Sequence, residues 1–458
     1  MQALLAIALL TLKAAIRFRL LIVLGILLLL TVVGLPLVIK DDGTAQGFTQ
    51  ILLTYTLSFI TGLLGLATMW IACGTLARDI EEYQIQMITV KPVARWQIWL
   101  GKWIGIMTLN AVLLSFSGTA VYFLMQKRAQ SLPERQQAIL RDEIFVARGS
   151  AKETAVDLEP IVNQMMAERL EENPDLANMD RKTVRDQIFQ QVLAMQQVVQ
   201  PGYRRRWEIP IESHEELKDQ PLYLRIKFFT ASAYDTKTYL AYWDIGPPEG
   251  AQRIRIENSI SPEAPIQFEI PPNLIGSDGV LTVDFENWNQ KALLFPRGDG
   301  VEVLYKKGKF GPNFARGMIV IFCWLGFLCA LGLMAASFLS FPIAAFFTLA
   351  MLFIGFSNGT LTQIIEEGGI TGVNSNTGYT AAPSLIDTVA VSAASGLLGT
   401  INMVRDFSPI DNLSTGRMIT WKQVGRGVFQ IIIVMGGGFG VLGVIILSRR
   451  ELATAKSF

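Results

Sequence analysis

Few residues in this 458-residue chain have both the type and the spacing for chemistry. His214 is the sole histidine, which leaves zinc sites and His-based nucleophile triads almost without raw material. Cys73, Cys323 and Cys329 all fall in apolar runs and read as small packing residues, with no disulfide framework or thiolate metal site. Glu366 and Glu367 are adjacent carboxylates of the kind acid–base catalysis uses. No nucleophile or ligand set accompanies them in the sequence, so a solvated loop is the plainer reading. Gly438 to Gly443, "GFGVLG", fits G-x-G-x-x-G, but it lies inside an apolar run with no preceding strand. Gly436 and Gly440, four residues apart, are better suited to close helix packing. No phosphate-cradling G-x-x-x-x-G-K-[ST] occurs, so the expectation is no enzyme activity and no cofactor bound by this chain.

What remains is a dense charged stretch, "RDIEEYQIQMITVKPVARWQIWLGK", from Arg78 to Lys102. Taken as a helix, Asp79 to Val90 places Ile80, Tyr83, Met87 and Val90 on one side, with Glu81, Glu82 and Gln86 largely elsewhere. Pro92 cannot continue that helix and biases Lys91 toward extended backbone, so the chain bends there. Trp96, Trp99 and Trp103 follow and suit a membrane headgroup layer, with Arg95 and Lys102 expected to snorkel toward it. From the residues alone, this is either an ordinary loop with interfacial anchors or a short rod that meets a partner.

The elements around this stretch set its context. Half the residues are apolar (51%), yet charged residues still make up 17%, a combination that calls for membrane spans plus a water-exposed part. A hydrocarbon core of about 30 Å takes roughly 20 apolar residues as helix. Runs of that kind occur near Leu20 to Val38, Ile51 to Leu76, Ile104 to Phe123, Met318 to Leu339, Phe341 to Phe356 and Val428 to Leu447. The expected fold is therefore a polytopic α-helical membrane protein with six transmembrane helices. Lys13, Arg17 and Arg19 precede the first run, but no small-residue cleavage site follows it, so it reads as a retained span. Basic residues at the start, in the 78–102 stretch and at Arg449, Arg450 and Lys456 place both termini and that stretch on the cytoplasmic side. Region 127–312 is then extracytoplasmic, as is the loop or helix region 358–426, in which a mildly apolar helix from Ser384 to Val404 lies along or dips into the outer leaflet.

The inserted region changes character midway. Residues 127–202 are rich in Gln, Glu, Arg, Ala and Met, and Val184, Ile188, Val192 and Met195 share one helical face. Residues 203–312 carry short β-branched and aromatic runs such as "LYLRIKFFTAS", "TYLAYWDIG" and "RIRIENSI" between Pro, Gly and Asp turns, the pattern of a small antiparallel β-sandwich. The insert is thus expected to be an α+β domain, helical part first. The aromatics of "YLAYWDIG" read as core rather than ligand face, and "YRRRW", with Arg204 to Arg206, as solvated charge. A net charge of +1 carries no footprint for nucleic acid, and none is expected as a partner.

"RDIEEYQIQMITVKPVARWQIWLGKWIG" resembles the first cytoplasmic loop of type-2 ATP-binding-cassette (ABC) exporter permeases. Glu82 matches that family's acidic position, Lys91 and Pro92 its basic-proline turn, Arg95 the following arginine, and Gly101 with Lys102 its Gly-Lys. The Gly-Thr that commonly follows the Glu is Tyr83-Gln84 here. "MQALLAIALLTLKAAIRFR" is similar to the family's amphipathic elbow helix, and "FSPIDNLSTGRMITWKQ" through "SRREL" to its C-terminal pattern. The resemblance covers roughly residues 1–126 and 315–458, not the insert.

The resemblance implies a permease subunit of an exporter in the bacterial cytoplasmic (inner) membrane, working with a second permease copy or homologue and with cytoplasmic ATPase subunits that hold ATP and Mg. Helix 79–90 would be the coupling helix, with Glu82, Tyr83, Met87, Lys91, Pro92, Arg95 and Lys102 as the ATPase-coupling residues. Membrane lipid surrounds the spans, and the outer domain would receive cargo or dock an extracytoplasmic protein. The alternative keeps the family and drops translocation, making the chain a scaffold that transmits ATPase-driven mechanical change to an extracytoplasmic machine.

Overall fold

The computed structural model describes residues 2–17, 20–39, 43–82, 93–154, 156–172, 181–212, 217, 220–230, 237–248, 253–356, 392, 395 and 409–450. The chain divides into two compact units, residues 1–147 with 309–458, and residues 148–308.

The first unit is helical. α1 spans Gln2–Arg17 and α2 residues 20–38, α2 widening through a π-helical turn at Leu30–Gly34. α3 is Gly47–Glu81 and α4 Arg95–Ala129, and a short α5, Glu134–Ile139, follows. α6, Glu159–Glu172, and α7, Arg181–Gln197, belong to the other unit, and the helical unit resumes with α8, Phe310–Ala336, and α9, Phe341–Phe356. α10, Pro409–Ser414, and α11, Trp421–Arg449, complete it. Among the described residues, α3, α4, α8 and α11 are the four helices long and apolar enough to cross a membrane. The other two expected spans, the first and the fifth, are shorter apolar helices, Ile22–Gly34 and Phe341–Phe353 by the same measure. In the first, the π-helical turn and Pro36, which opens a fresh four-residue helix, interrupt the regular run. The expected helix from Ser384 to Val404 lies outside the described residues apart from 392 and 395.

α8 runs through the middle of this unit, with Ile321, Leu325, Cys329, Leu333 and Ala336 all buried. Small residues let its neighbours come close: a Cβ added at Gly332 would stand 2.8 Å from the Ala72 Cβ on α3. The apolar stripe of α1, with Ile7, Ala8, Thr11 and Ala15 buried, seats on α4 at Gly101 and Gly105. A Cβ at Gly105 would meet the Ala8 carbonyl oxygen at 2.7 Å, so glycine is required for that contact. Gly416 combines a φ of +69° with a backbone approach to Glu143 that leaves no room for a side chain.

The second unit holds the strands β1 Val146–Lys152, β2 Val198–Val199, β3 Arg204–Pro210, β4 Leu222–Ile226, β5 Phe229–Thr230, β6 Tyr239–Ile245, β7 Ile254–Ile260, β8 Ile266–Ile270, β9 Val280–Glu286, β10 Leu293–Leu294 and β11 Val301–Lys309. They form two four-stranded sheets, ordered β1-β11-β4-β8 and β3-β9-β6-β7, and a three-stranded one, β2-β10-β5. The pairings β4–β11, β4–β8, β3–β9, β6–β9 and β6–β7 are antiparallel. Alternation sets the register: Leu222, Leu224 and Ile226 of one sheet and Ala241, Trp243 and Ile245 of the other point into one shared core. Trp243 stacks 4.7 Å from Phe285, and Phe295 stands 5.1 Å from Phe285 and 5.2 Å from Trp207. Each such fully buried aromatic stabilises the core by about 1.5–3 kcal/mol.

Two expectations change in this unit. The segment expected to be helical up to residue 202 contains strand β1, whose sequence "VARGSAK" lacks the aromatic and β-branched density that marks a strand. It joins the sheet beside β11, where Gly149 lies flat against the Tyr305 ring and a Cβ would stand 2.6 Å from it. Farther on, Val184, Ile188 and Val192 of α7 do pack together, against Leu158 and Val162 at α6, but Met195 is 58% exposed.

Candidate functional site

The charged stretch leaves one long helix and enters another, and the described parts of it are tied to other helix ends. α3 continues to Glu81, with Glu82 as its C-cap at φ −88° and ψ 8°. Asp79, Ile80 and Glu81 are therefore the last turn of a long apolar helix rather than the start of a separate rod. No helix breaker stands between Leu76 and Glu82, and the carboxylates of that turn find cationic or N–H partners. Tyr83, Met87, Lys91 and Pro92 lie outside the described residues, as does the rest of the expected helix to Val90.

Lys102 and Asp79 form an ion pair at 2.5 Å, with side chains 6% and 24% exposed, and Lys102 Nζ also donates to the Thr75 carbonyl at 2.9 Å. Lys102 thus points into the helical unit, where the sequence had suggested a side chain reaching for headgroups. A buried ammonium without Asp79 would be costly, and the pair together with the carbonyl satisfies it. Glu81 Oε1 accepts from the Phe341 backbone N–H at 2.9 Å, capping the start of α9 where the first N–H groups lack helical partners.

Arg95 does not project away either. Its guanidinium donates to the Leu447 carbonyl, to the Ser448 carbonyl at 2.8 Å and to the Arg450 carbonyl at 3.0 Å, closing the C-terminus of α11. Arg450 in turn donates to the Ser337 carbonyl at 3.1 Å, at the end of α8. The ends of α3, α4, α8, α9 and α11 are therefore joined by charged side chains, of which Asp79, Glu81, Arg95 and Lys102 lie on either side of residues 83–92 in the chain. Asp79, Glu81 and Arg450 carry roles in this network that residue types do not signal, because Glu81 and Arg450 meet backbone groups and Asp79 meets a lysine on the next helix.

The indole of Trp99, expected at an interface, is 5% exposed and fills the space left by glycines of α11. A Cβ at Gly440 would stand 3.1 Å from this ring, and one at Gly443 would stand 2.7 Å from Trp99 Nε1 and 3.2 Å from the Met334 Cα. Gly436 is looser, with the Ile431 carbonyl oxygen of its own helix at 3.3 Å and the Ala330 Cβ of α8 at 3.9 Å. The tightest approach on α11 is thus at Gly443, outside the pair chosen from four-residue spacing. Trp96 stays half exposed, and Trp103 donates through Nε1 to the Gly326 carbonyl at 3.0 Å.

A second charged constellation belongs to the other unit. β6 and β9 place Asp244 directly opposite Asp284, a like-charge pair that destabilises a sheet unless cations intervene. Arg204 donates to Asp284 at 2.6 Å, Arg206 donates to it at 2.9 Å and Arg253 also reaches it, while Arg255 grips Asp244 with two bonds of 2.7 Å. Burial alone would raise the Asp284 carboxyl, but hydrogen bonds from Arg206, Arg253 and Arg204 outweigh it and hold the group below the usual carboxylate range. Asp244 is lowered chiefly by the hydrogen bonds from Arg255. Between its two neighbours, Arg205 pairs with Glu153 at 3.3 Å and lies over the Trp207 ring, 4.7 Å from its centroid. The "YRRRW" arginines are therefore parts of specific pairs rather than free solvated charge.

The helix-end network positions chain segments relative to one another, and the arginine–aspartate lattice fixes a sheet face. Neither contains an aligned nucleophile and base. Comparison of the chain with protein-family models, with curated proteins and with solved structures finds no match.

Proposed function

We propose that the chain is the permease subunit of an ABC-type exporter in a bacterial cytoplasmic membrane, driven by separate cytoplasmic ATPase subunits and pairing with a second permease. The observation that supports this reading most is the way the segment 83–92 is bracketed. Its two flanks carry Asp79 and Glu81 on one side and Arg95 and Lys102 on the other, and each is fastened to another helix end. A partner that moved the segment would pull on α3 and α4 directly, and on α9 and α11 through Glu81 and Arg95. Side-chain and backbone hydrogen bonds of this kind act as short rigid links, so a displacement of the segment reaches the spans with little slack. In this reading both termini and the segment are cytoplasmic, residues 127–312 are outside, and the ATPase supplies ATP and Mg chemistry.

The test is reconstitution. The full chain purified from bacterial membranes should retain an ATPase, and vesicles holding the complex should couple ATP hydrolysis to movement of a lipid or peptide. The substitution pair Glu82→Lys with Arg95→Glu should leave membrane insertion intact and uncouple hydrolysis from movement. Hydrolysis without any cargo movement in the unaltered complex would support a mechanical scaffold instead. A cysteine placed at Gln84 and labelled only from the outer face would overturn both readings.

A further inference from the structure

Leu66, Trp70, Gly74 and Arg78 stand four residues apart and so form one ridge along α3. Beside that ridge a groove of about 670 Å³ opens between α3 and α9, walled on the α9 side by Phe341, Pro342, Ala345, Phe346 and Leu349. Its walls are hydrocarbon almost throughout. The Thr348 hydroxyl that reaches the wall is already engaged with the Ala344 and Ala345 carbonyls. Trp70 and Phe346 line it while remaining 50% and 74% exposed, so the groove is open along its length to whatever surrounds the helices.

One end of the groove carries charge. The Phe341 ring stands edge-on to Trp70 at 5.0 Å, and the Arg78 guanidinium lies over the same ring, 4.7 Å from its centroid. Arg78 is exposed and forms no ion pair among the described residues. The nearby carboxylates of Asp79 and Glu81 are held by Lys102 and by the Phe341 N–H. The stretch of α3 from Leu66 to Arg78 is about 18 Å long, close to the roughly 15 Å depth of one hydrocarbon leaflet.

We propose that this groove binds an anionic phospholipid from the surrounding bilayer, with one acyl chain lying between α3 and α9 and its phosphate on the Arg78 guanidinium. The inference rests on α3 spanning a membrane and not on the permease reading. An apolar slot accepts a hydrocarbon chain of any lipid, and an unpaired guanidinium at its mouth selects for negative charge because a planar donor fork matches phosphate oxygens. An acyl chain also covers the Trp70 and Phe346 faces.

Native mass spectrometry of the full chain, extracted in mild detergent and incubated with phosphatidylglycerol or phosphatidylcholine of the same acyl length, tests this. The protein should retain phosphatidylglycerol in preference, and Arg78→Gln, at an exposed site, should bring the two lipids to equal retention. Ala345→Trp, which fills the groove and keeps Arg78, should lose both. Equal retention by the unaltered protein would overturn the proposal, as would a phosphatidylglycerol preference that survives Arg78→Gln. Lipid bound undiminished to Ala345→Trp would refute the placement, and a dimer that carries no lipid would show that a second copy fills the groove instead.

Discussion

The helix-end network of one unit and the sheet-face lattice of the other hold their charges differently. In the helical unit Arg95, Arg450 and Lys102 all donate to backbone carbonyls, and Glu81 accepts from a backbone N–H. In the β unit Arg204, Arg206, Arg253 and Arg255 donate to carboxylates. The cause is the backbone. Each helix end leaves several carbonyl or N–H groups without intrahelical partners, so charged side chains gathered at helix ends find acceptors and donors there. A paired strand has already used most of its carbonyls and N–H groups, so charge on this sheet face is balanced chiefly by other side chains. A helix end can therefore hold a cation such as Arg95 on carbonyls alone, whereas the two facing aspartates of this sheet are held by arginines.

Breaking the buried pair tests this comparison most severely. Asp79→Ala leaves the Lys102 ammonium buried with only the Thr75 carbonyl, and the helical unit should lose about 3–5 kcal/mol, read as a fall in the thermal midpoint of the detergent-solubilised chain followed by circular dichroism at 222 nm. Lys102→Met removes the buried ammonium and leaves only the more exposed Asp79 carboxylate without its cation, so it should cost clearly less. Equal losses in the two variants would mean that the pair, rather than the unpaired charge, dominates.

The lattice of the β unit should respond to pH. Asp284 and Asp244 are depressed in the folded state, so the unfolded chain binds more protons as pH falls. Their contribution is fully present above the ordinary aspartate value of about 3.9 and is lost as pH drops through the lower folded values. Urea unfolding of the chain, followed by the near-ultraviolet signal of the Trp207 and Trp243 cluster, should show a midpoint that falls between pH 5 and pH 2 more steeply than in Asp284→Asn, with each midpoint placed on a [urea] axis at matched ionic strength. Identical slopes would remove Asp284 from the account. The smallest effect is expected at Arg255, which is exposed: Arg255→Gln should lower the midpoint slightly in dilute buffer and not at all in high salt.

Local patterns carried much of the fold. The runs that became α3, α4, α8 and α11 are visible as unbroken apolar stretches, and the alternation in "LYLRIKF" places Leu222, Leu224 and Ile226 on the inner face of their sheet. The helical face of Val184, Ile188 and Val192 is equally plain. Strand β1 was not visible, because a strand held mainly by its neighbours needs no strong propensity of its own, and "VARGSAK" has none. Of the site, the charged stretch stood out by density, but the partners of its members did not. Arg95 meets carbonyls more than 350 positions later in the chain, and a carbonyl acceptor leaves no trace in residue identity. Lys102 gave the same signal as a snorkelling lysine, and only the packing of α3 against α4 distinguishes the two. Gly443 was hidden for a similar reason: spacing can pair glycines, but the Trp99 ring that needs one lies on another helix.

The Arg95 cap on α11 also bears on synthesis. The acceptors for this guanidinium, at residues 447, 448 and 450, leave the ribosome long after α4 has been made. Throughout that interval Arg95 lacks its eventual contacts and the glycines that receive Trp99 are not yet made, so a chain interrupted before residue 443 carries both groups without their partners.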